Sequence, residues 1–369
     1  MNLQEKIGQL FMLGFTGTTV GPELADLLTT YKPGGVILFA RNLTDADQIV
    51  ALTNDLQRHA SGSPLLIAID QEGGRVSRLP AGFTVFPPCA TVGSCRSTEL
   101  AYAAAAATAQ ELRAVGINMN MAPVLDVNTN PRNPIIGDRA FGADPGLVGE
   151  LGLATIAGLQ QNRVVACGKH FPGHGDTVAD SHKELPLVAA SRERLDEVEL
   201  RPFRSVIEQG DRGPAAIMTA HVLYPALDEK LPATLSPAIL TDLLRQQWRF
   251  DGLIVTDDLE MHAIIDHYGI GDAAVRALQA GADLLLICKD RERAVTAMEA
   301  VHKSVTDGTL PAERLEASLR RIERVKERFL RPYKAADPTV AHAVVGSGTH
   351  RALLDQILHT SERLTKAPA

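Results

Sequence analysis

Residues 164–182 read VVACGKHFPGHGDTVADSH, and the change of character along this stretch sets the reading of the whole chain. Its start, VVAC, is apolar and β-prone, so it predicts the end of a strand. Pro172, Gly173 and Gly175 then forbid a regular helix or strand. Lys169, His170, His174, Asp176, Asp180 and His182 therefore crowd onto an irregular loop that leaves a strand. A loop so dense in ionisable groups needs a reason, and the rest of the chain can be asked for one.

The same rhythm recurs on both sides. GVILF (35–39), LLIAID (65–70), NMNMAPVLDV (118–127), AAIMTAH (215–221), LIVTD (253–257) and DLLLIC (283–288) are mostly continuous apolar runs, as in parallel strands covered on both faces. Helical segments separate them. Residues 98–115 are Ala-rich and stop at Gly116, a natural residue just past a helix end. Ser236-Pro237 pairs an N-cap with proline at the first helical position, ahead of a stripe of Leu240, Leu243, Leu244 and Trp248. Residues 272–280 end at Gly281, and residues 312–330 carry Leu315, Leu319, Ile322 and Val325 on one face before Pro332. Seven βα units with no break in composition predict a single α/β domain, a (β/α)8 TIM-type barrel over residues 1–334. The eighth strand is expected near Phe11 to Phe15 or hidden between helices. Residues 335–369 form a C-terminal extension too short for its own core, loose at first, with a helix over 350–364.

Composition narrows the function. The 369 residues are 45% hydrophobic and 22% charged, as in ordinary soluble globular proteins. A net charge of −7 argues against nucleic acid or an anionic membrane as a partner. The four cysteines, Cys89, Cys95, Cys167 and Cys288, form no CxxC pair and read as buried free thiols. The opening MNLQEKIGQLFMLGF has no basic segment followed by an apolar one, and no run reaches membrane-spanning length. A cytoplasmic enzyme is therefore expected.

In barrels of this kind catalytic groups sit at the C-terminal ends of strands. Five strand ends here carry charge: Asp70, with Arg75 and Arg78 beyond it; Asp126, followed by Asp138 and Arg139; Lys169 with His170; His221; and Asp257 with Asp258. Each alone has a plain structural reading. A strand-end aspartate can cap the next helix, an exposed arginine can make a surface ion pair, and paired glycines can make a turn. Asp126 suits a structural role best. Together the five are harder to explain, because a packed barrel needs none of them. Neither Gly73-Gly74 nor GHGD matches a phosphate-binding motif. His170, His174 and His182 could ligate a metal, but Pro172 and Gly173 break the helix that the spacing of His170 and His174 would need. No metal and no cofactor are expected. Asp180-Ser181-His182 instead places a carboxylate beside an imidazole, which can give and retake a proton near its free pKa of about 6.5. A separate strand-end aspartate could act as nucleophile. This arrangement fits glycoside cleavage with retention, in which the two groups stand roughly 5 Å apart.

DQEGGRVSRL (70–79), IIGDRAFG (135–142), GKHFPGHGDTVADSHKELP (168–186) and VTDDLEM (255–261) resemble glycoside hydrolase family 3, in its bacterial β-N-acetylhexosaminidase branch of cell-wall recycling. The resemblance covers nearly the whole barrel, and KHFPGHGDT…DSH is its specific part. It implies a retaining exo-β-N-acetylglucosaminidase that removes terminal non-reducing GlcNAc from peptidoglycan fragments, GlcNAc linked to anhydro-N-acetylmuramic acid with or without peptide. It also implies Asp257 as nucleophile, His182 as general acid/base and Asp180 as its partner. Asp70, Arg78, Arg139, Lys169 and His170 would bind the sugar. On the residues alone Asp258 could equally be the nucleophile, and His174 and Asp176 are weaker candidates for the acid/base. Two-domain β-glucosidases of the family take that group from a second α/β domain. This chain ends too soon for one, and HRALLDQILHTSERL resembles only its first helix, so the acid/base is expected from the barrel. The expected partner is a small sugar or muropeptide, and the expected state is a monomer. A glycoside phosphorylase stays open, because an imidazole carries no negative charge to repel phosphate. The other readings are a β-glucosidase or broad hexosaminidase, a metal-dependent barrel hydrolase and a non-catalytic muropeptide-binding protein.

Overall fold

The computed structural model describes residues 1–60, 62–177 and 185–366. Among them, eight parallel strands close into a barrel in sequence order. They are β1 (Phe11–Leu13), β2 (Gly35–Leu38), β3 (Leu66–Ile69), β4 (Met119–Asn120), β5 (Val165–Phe171), β6 (Ala216–Thr219), β7 (Leu253–Asp258) and β8 (Leu284–Ile287). The eighth strand is thus Phe11–Leu13, which closes the barrel through Phe11, Met12 and Leu13 against Leu285, Leu286 and Ile287. β1, β2, β3, β6 and β8 are mostly apolar throughout, and β5 and β7 begin so before their charged C-terminal ends, because both faces of the strands are covered, inside by the barrel core and outside by helices.

The first helices are α1 (Leu3–Gly8), α2 (Pro22–Tyr31), α3 (Ala46–His59), α4 (Cys89–Ser94), α5 (Thr98–Ala114), α6 (Pro145–Gln161), α7 (Arg192–Glu197) and α8 (Arg201–Ile207). After them come α9 (His262–Tyr268), α10 (Ile270–Ala280), α11 (Arg291–Thr306), α12 (Ala312–Leu330), α13 (Pro338–Val344) and α14 (Gly348–Lys366). A π-helix, Ala238–Gln247, lies between β6 and β7. It follows Ser236 as expected, and the Ser236 hydroxyl accepts from the Ile239 amide at 3.2 Å. Its last turn is wider than an α-helix, with Trp248 N donating to Leu243 O at 3.0 Å.

The apolar run 118–127 does not form one long strand. Pro123 has no N–H to give, and β4 pairs only at Met119 and Asn120. Side-chain amides extend the ladder. Asn120 accepts from Gln71 N at 3.0 Å and donates to Gln71 O at 2.9 Å. Toward β5 the hydrogen bonds run on past the proline, with Lys169 N donating to Pro123 O at 3.0 Å and Leu125 N to Lys169 O at 2.6 Å. This fixes Asp126 beside the end of β5.

The tail is ordered from its start. Asn54 on α3 clasps Ala336 through two hydrogen bonds of 2.9 Å, and Asp337 caps α13 by accepting from Thr339 N at 2.8 Å. Helix α13 then packs on α3 and α5, and α14 on α4 and α5.

At the opposite end of the barrel from the strand C-termini, buried Asp283 accepts from Ile254 N, Ser318 Oγ and the guanidinium groups of Arg245, Arg314 and Arg321. Its carboxylate ties β7 and β8 to α12. Asp283→Ala would leave Arg245 and Arg314 without their carboxylate beside Arg321, which keeps Asp251, and is expected to cost about 3–5 kcal/mol in chemical denaturation. A loss below about 1 kcal/mol would contradict the clamp.

Candidate active site

The C-terminal ends of β3, β5, β7 and β8 open into a cavity of about 300 Å³. Asp70, Arg78, Arg139, Lys169, His170 and Asp257 all line it. The sequence placed these residues on four different segments, and the barrel brings them to one wall. Asp180 and His182 lie outside the described residues. Ile37, Phe39, Met218, Met261 and Leu286 supply an apolar part of the lining.

One ion cluster organises the charged part. The Lys169 side chain is 3% exposed, and its Nζ lies 2.7 Å from Asp70 Oδ1 and 2.6 Å from Glu72 Oε1. Arg139 grips Glu72 with both arms, Nε to Oε2 and Nη2 to Oε1, each at 2.8 Å. Burial works to raise the Glu72 pKa, but the adjacent Lys169 and Arg139 outweigh it and hold the carboxyl well below the usual range. Burial likewise works to neutralise Lys169, and Asp70 and Glu72 more than reverse it, raising its pKa. Glu72 is the member that sequence reasoning missed. Its only signal is position, two residues past a strand-end aspartate in DQEGG.

The three arginines divide. Arg75 lines the cavity but spends its guanidinium on Asp138, at 2.9 Å, and on Ile135 O, at 2.6 Å. Arg139 is committed to Glu72. Arg78 is the least engaged: it stands 4.0 Å from Asp70, and its buried Nε has no partner among the described residues.

A second buried carboxylate, Asp126, sets the histidines. It accepts from His170 Nδ1 at 2.7 Å and from His174 N at 2.6 Å. A carboxylate can only accept, so Nδ1 of His170 carries the proton and Nε2 faces Arg139 Nη2 at 3.4 Å. Asp126 thus has the structural role its sequence position suggested. The His174 ring meets His170 edge-on, with centroids 5.9 Å apart, and its Nδ1 lies 2.8 Å from Thr177 Oγ1. Burial and the neighbouring His170 push the His174 pKa down to about 4, which suits a structural hydrogen-bonder better than a proton carrier at neutral pH.

The two aspartates at the end of β7 have different environments. Burial works to raise the Asp257 pKa, but His221, His170, the Asp258 amide and Lys169 hold it below the usual carboxylate value. Among the described residues its one hydrogen bond comes from Asp258 N, at 2.8 Å to Oδ1. An ionised carboxylate with an oxygen that meets no donor among the described residues can act as a nucleophile. Asp258 is turned to structural work: Oδ1 accepts from Glu260 N at 3.1 Å and Cys288 N at 3.3 Å. Burial, together with the nearby Glu260 and Asp257, lifts its pKa to about 7. His221 secures the same strand end by donating from Nε2 to Asp258 O at 2.9 Å. The two adjacent carboxyls are therefore held in opposite protonation states in mild acid.

Comparison with known proteins gives a consistent result. The family model described as the glycosyl hydrolase family 3 N terminal domain matches residues 2–325. β-Hexosaminidase A of Pseudoalteromonas piscicida is 38% identical over 361 residues, a match covering 91% of this chain and 60% of that protein. A β-hexosaminidase of Thiobacillus denitrificans is 41% identical over 308 residues, covering 82% of this chain and 83% of that protein. A solved family 3 β-N-acetylglucosaminidase from Paenibacillus superposes with a TM-score of 0.94 at 45% identity, over 98% of this chain and 69% of that one.

The protonation of Asp258 is measurable as stability. Its pKa rises from 3.8 to about 7 on folding, so between these values the folded form holds a proton that the unfolded form has released. Whatever stability this group contributes is lost as pH climbs through that window. Asp258→Asn mimics the protonated form at every pH. Its stability relative to the parent, from urea unfolding, should rise as pH goes from about 4 to about 7 and then level off. A difference that does not change with pH would contradict the assignment.

Proposed function

The chain belongs to glycosyl hydrolase family 3, and on that premise we propose that it is a retaining exo-β-N-acetylglucosaminidase that removes terminal non-reducing GlcNAc from peptidoglycan fragments in the cytoplasm. The observation that carries the reading is an ionised Asp257 standing at a strand end in the same cavity as the Asp70–Lys169–Glu72–Arg139 cluster. A neutral sugar asks for hydroxyl acceptors and donors already held in place, and for one carboxylate able to attack. The cluster supports the first requirement. Asp70 Oδ1 is neutralised by Lys169, which leaves Oδ2 and the underused Arg78 to meet sugar hydroxyls.

In the proposed cycle GlcNAc is held by Asp70, Arg78, Arg139, Lys169 and His170. Asp257 attacks the anomeric carbon while His182, oriented by Asp180, gives its proton to the leaving oxygen. A glycosyl–Asp257 ester results. His182 then takes a proton from water as that water attacks the same carbon, which frees Asp257 and returns the β-configured sugar. The substrate is GlcNAc linked to anhydro-N-acetylmuramic acid, with or without peptide.

Turnover of an aryl β-GlcNAc and of the muropeptide disaccharide tests this reading. Asp257→Ala should lower kcat/KM by about 10⁴-fold or more. The first-formed sugar should be the β-anomer by NMR, with or without inorganic phosphate. An α-configured first product would mean inversion, and a sugar 1-phosphate would mean a phosphorylase. Full turnover by Asp257→Ala would remove the nucleophile assignment.

A further inference from the structure

None of the described residues of the C-terminal tail lines the cavity, yet the tail reaches both loops that carry the cavity's arginines. Glu111 on α5 is the joint. Its side chain is 1% exposed, and its two oxygens serve different partners. Oε2 accepts from Thr84 N at 2.9 Å, in the loop between β3 and α4. Oε1 accepts from Gly346 N at 3.0 Å and from His350 Nδ1 at 2.7 Å, both in the tail. A buried carboxylate without these donors would be strongly disfavoured, so tail and loop are bound through one charge. The backbones also lie against each other: a Cβ added at Gly346 would come within 2.1 Å of Gly82 O.

From Thr84 the connection runs to the sugar-facing residues. Two residues on, Phe86 O accepts from Gly74 N at 2.9 Å, and Gly74 directly precedes Arg75. The turn beyond it returns the chain so that Arg78 N donates to Gln71 Oε1 at 3.0 Å. The Phe86 side chain belongs to a small apolar cluster, apart from the barrel core, that also contains Val92 of α4, Phe141 and Ile357 of α14. Phe141 lies two residues past Arg139. Its carbonyl is so close to α4 that a Cβ at Gly93 would come within 1.8 Å of it. Ser94 on α4 meets Ser361 on α14 at 2.7 Å. The tail therefore braces the Arg78 loop through Glu111 and the Arg139 loop through α4 and Phe141.

We propose that Glu111 and His350 are positioning residues for sugar binding, by which the C-terminal tail holds the Arg78 and Arg139 loops in their binding geometry. Its kinetic consequence rests on the cavity being the GlcNAc site; its structural consequence does not. A brace on binding groups is read as a rise in KM with kcat kept. His350→Ala should raise KM for an aryl β-GlcNAc by about tenfold, the loss expected for one buried hydrogen bond to a charged group. Its kcat should stay within about twofold. His350→Gln, whose amide can still donate to Glu111, should recover part of the loss. Amide hydrogen exchange at Thr84 and Gly74 should quicken in His350→Ala while strand amides stay protected. Glu111→Gln is the second variant and should quicken the same amides. Exchange at Thr84 and Gly74 unchanged in folded His350→Ala, or a fall in kcat with KM unmoved, would overturn the proposal. If the parent protein turned over no β-GlcNAc substrate, the sugar reading would fail, and the exchange result would still decide the brace.

Discussion

Lys169 is an ammonium ion buried at the end of a strand, and the site depends on how its charge is met. Two carboxylates, Asp70 and Glu72, approach it within 2.7 Å, and Arg139 balances the second of them. Two positive and two negative groups are thus closed into one set, with little solvent to soften the loss of any member. The set joins the loop after β3, the end of β5 and the loop that carries Arg139. The loop after β3 contributes two members and the other two elements one each, all costly alone and stable together. The groups proposed to meet the sugar are consequently in place before it arrives, which spares binding the cost of ordering them.

The same logic governs the reactive end. Asp257 lies near His221, His170 and Lys169, and that surrounding positive potential keeps it ionised against burial. For Asp258, one residue away, burial is the main cause and the nearby Glu260 and Asp257 add to it, lifting its pKa to about 7. Both aspartates line the same cavity, so the difference lies in their immediate partners: Asp258 Oδ1 is held by the Glu260 and Cys288 amides. A Thr-Asp-Asp run by itself leaves the choice of nucleophile open, and the electrostatic surroundings favour the first aspartate.

How much of this was legible in the chain can be judged residue by residue. The barrel was, because strands covered on both faces leave apolar runs that survive without any structural knowledge. Phe11–Leu13 was hard to find because a three-residue strand leaves almost no pattern. The run 118–127 looked like a long strand because apolar content does not register that Pro123 has no N–H to give, and β4 itself pairs only at Met119 and Asn120. Strand-end charges were legible as a set, since eight of the residues named from them line one cavity. Their partners were not. Arg75 and Asp138, or Glu72 and Arg139, are more than sixty residues apart in sequence, and only the folded chain shows which arginine is spent and which is available. The tail looked loose because its anchors, Asn54 and Glu111, belong to helices far from it in sequence.

In the proposed cycle Asp257 carries the sugar between the two halves of the reaction. Mass spectrometry of the protein stopped with a fluorinated GlcNAc substrate that forms the intermediate quickly and releases it slowly tests this directly. The account predicts one added sugar on the peptide that contains Asp257, with fragmentation assigning the ester to that side chain and no adduct in Asp257→Ala. An adduct on Asp258, or continued turnover of an ordinary substrate with no adduct ever trapped, would contradict it.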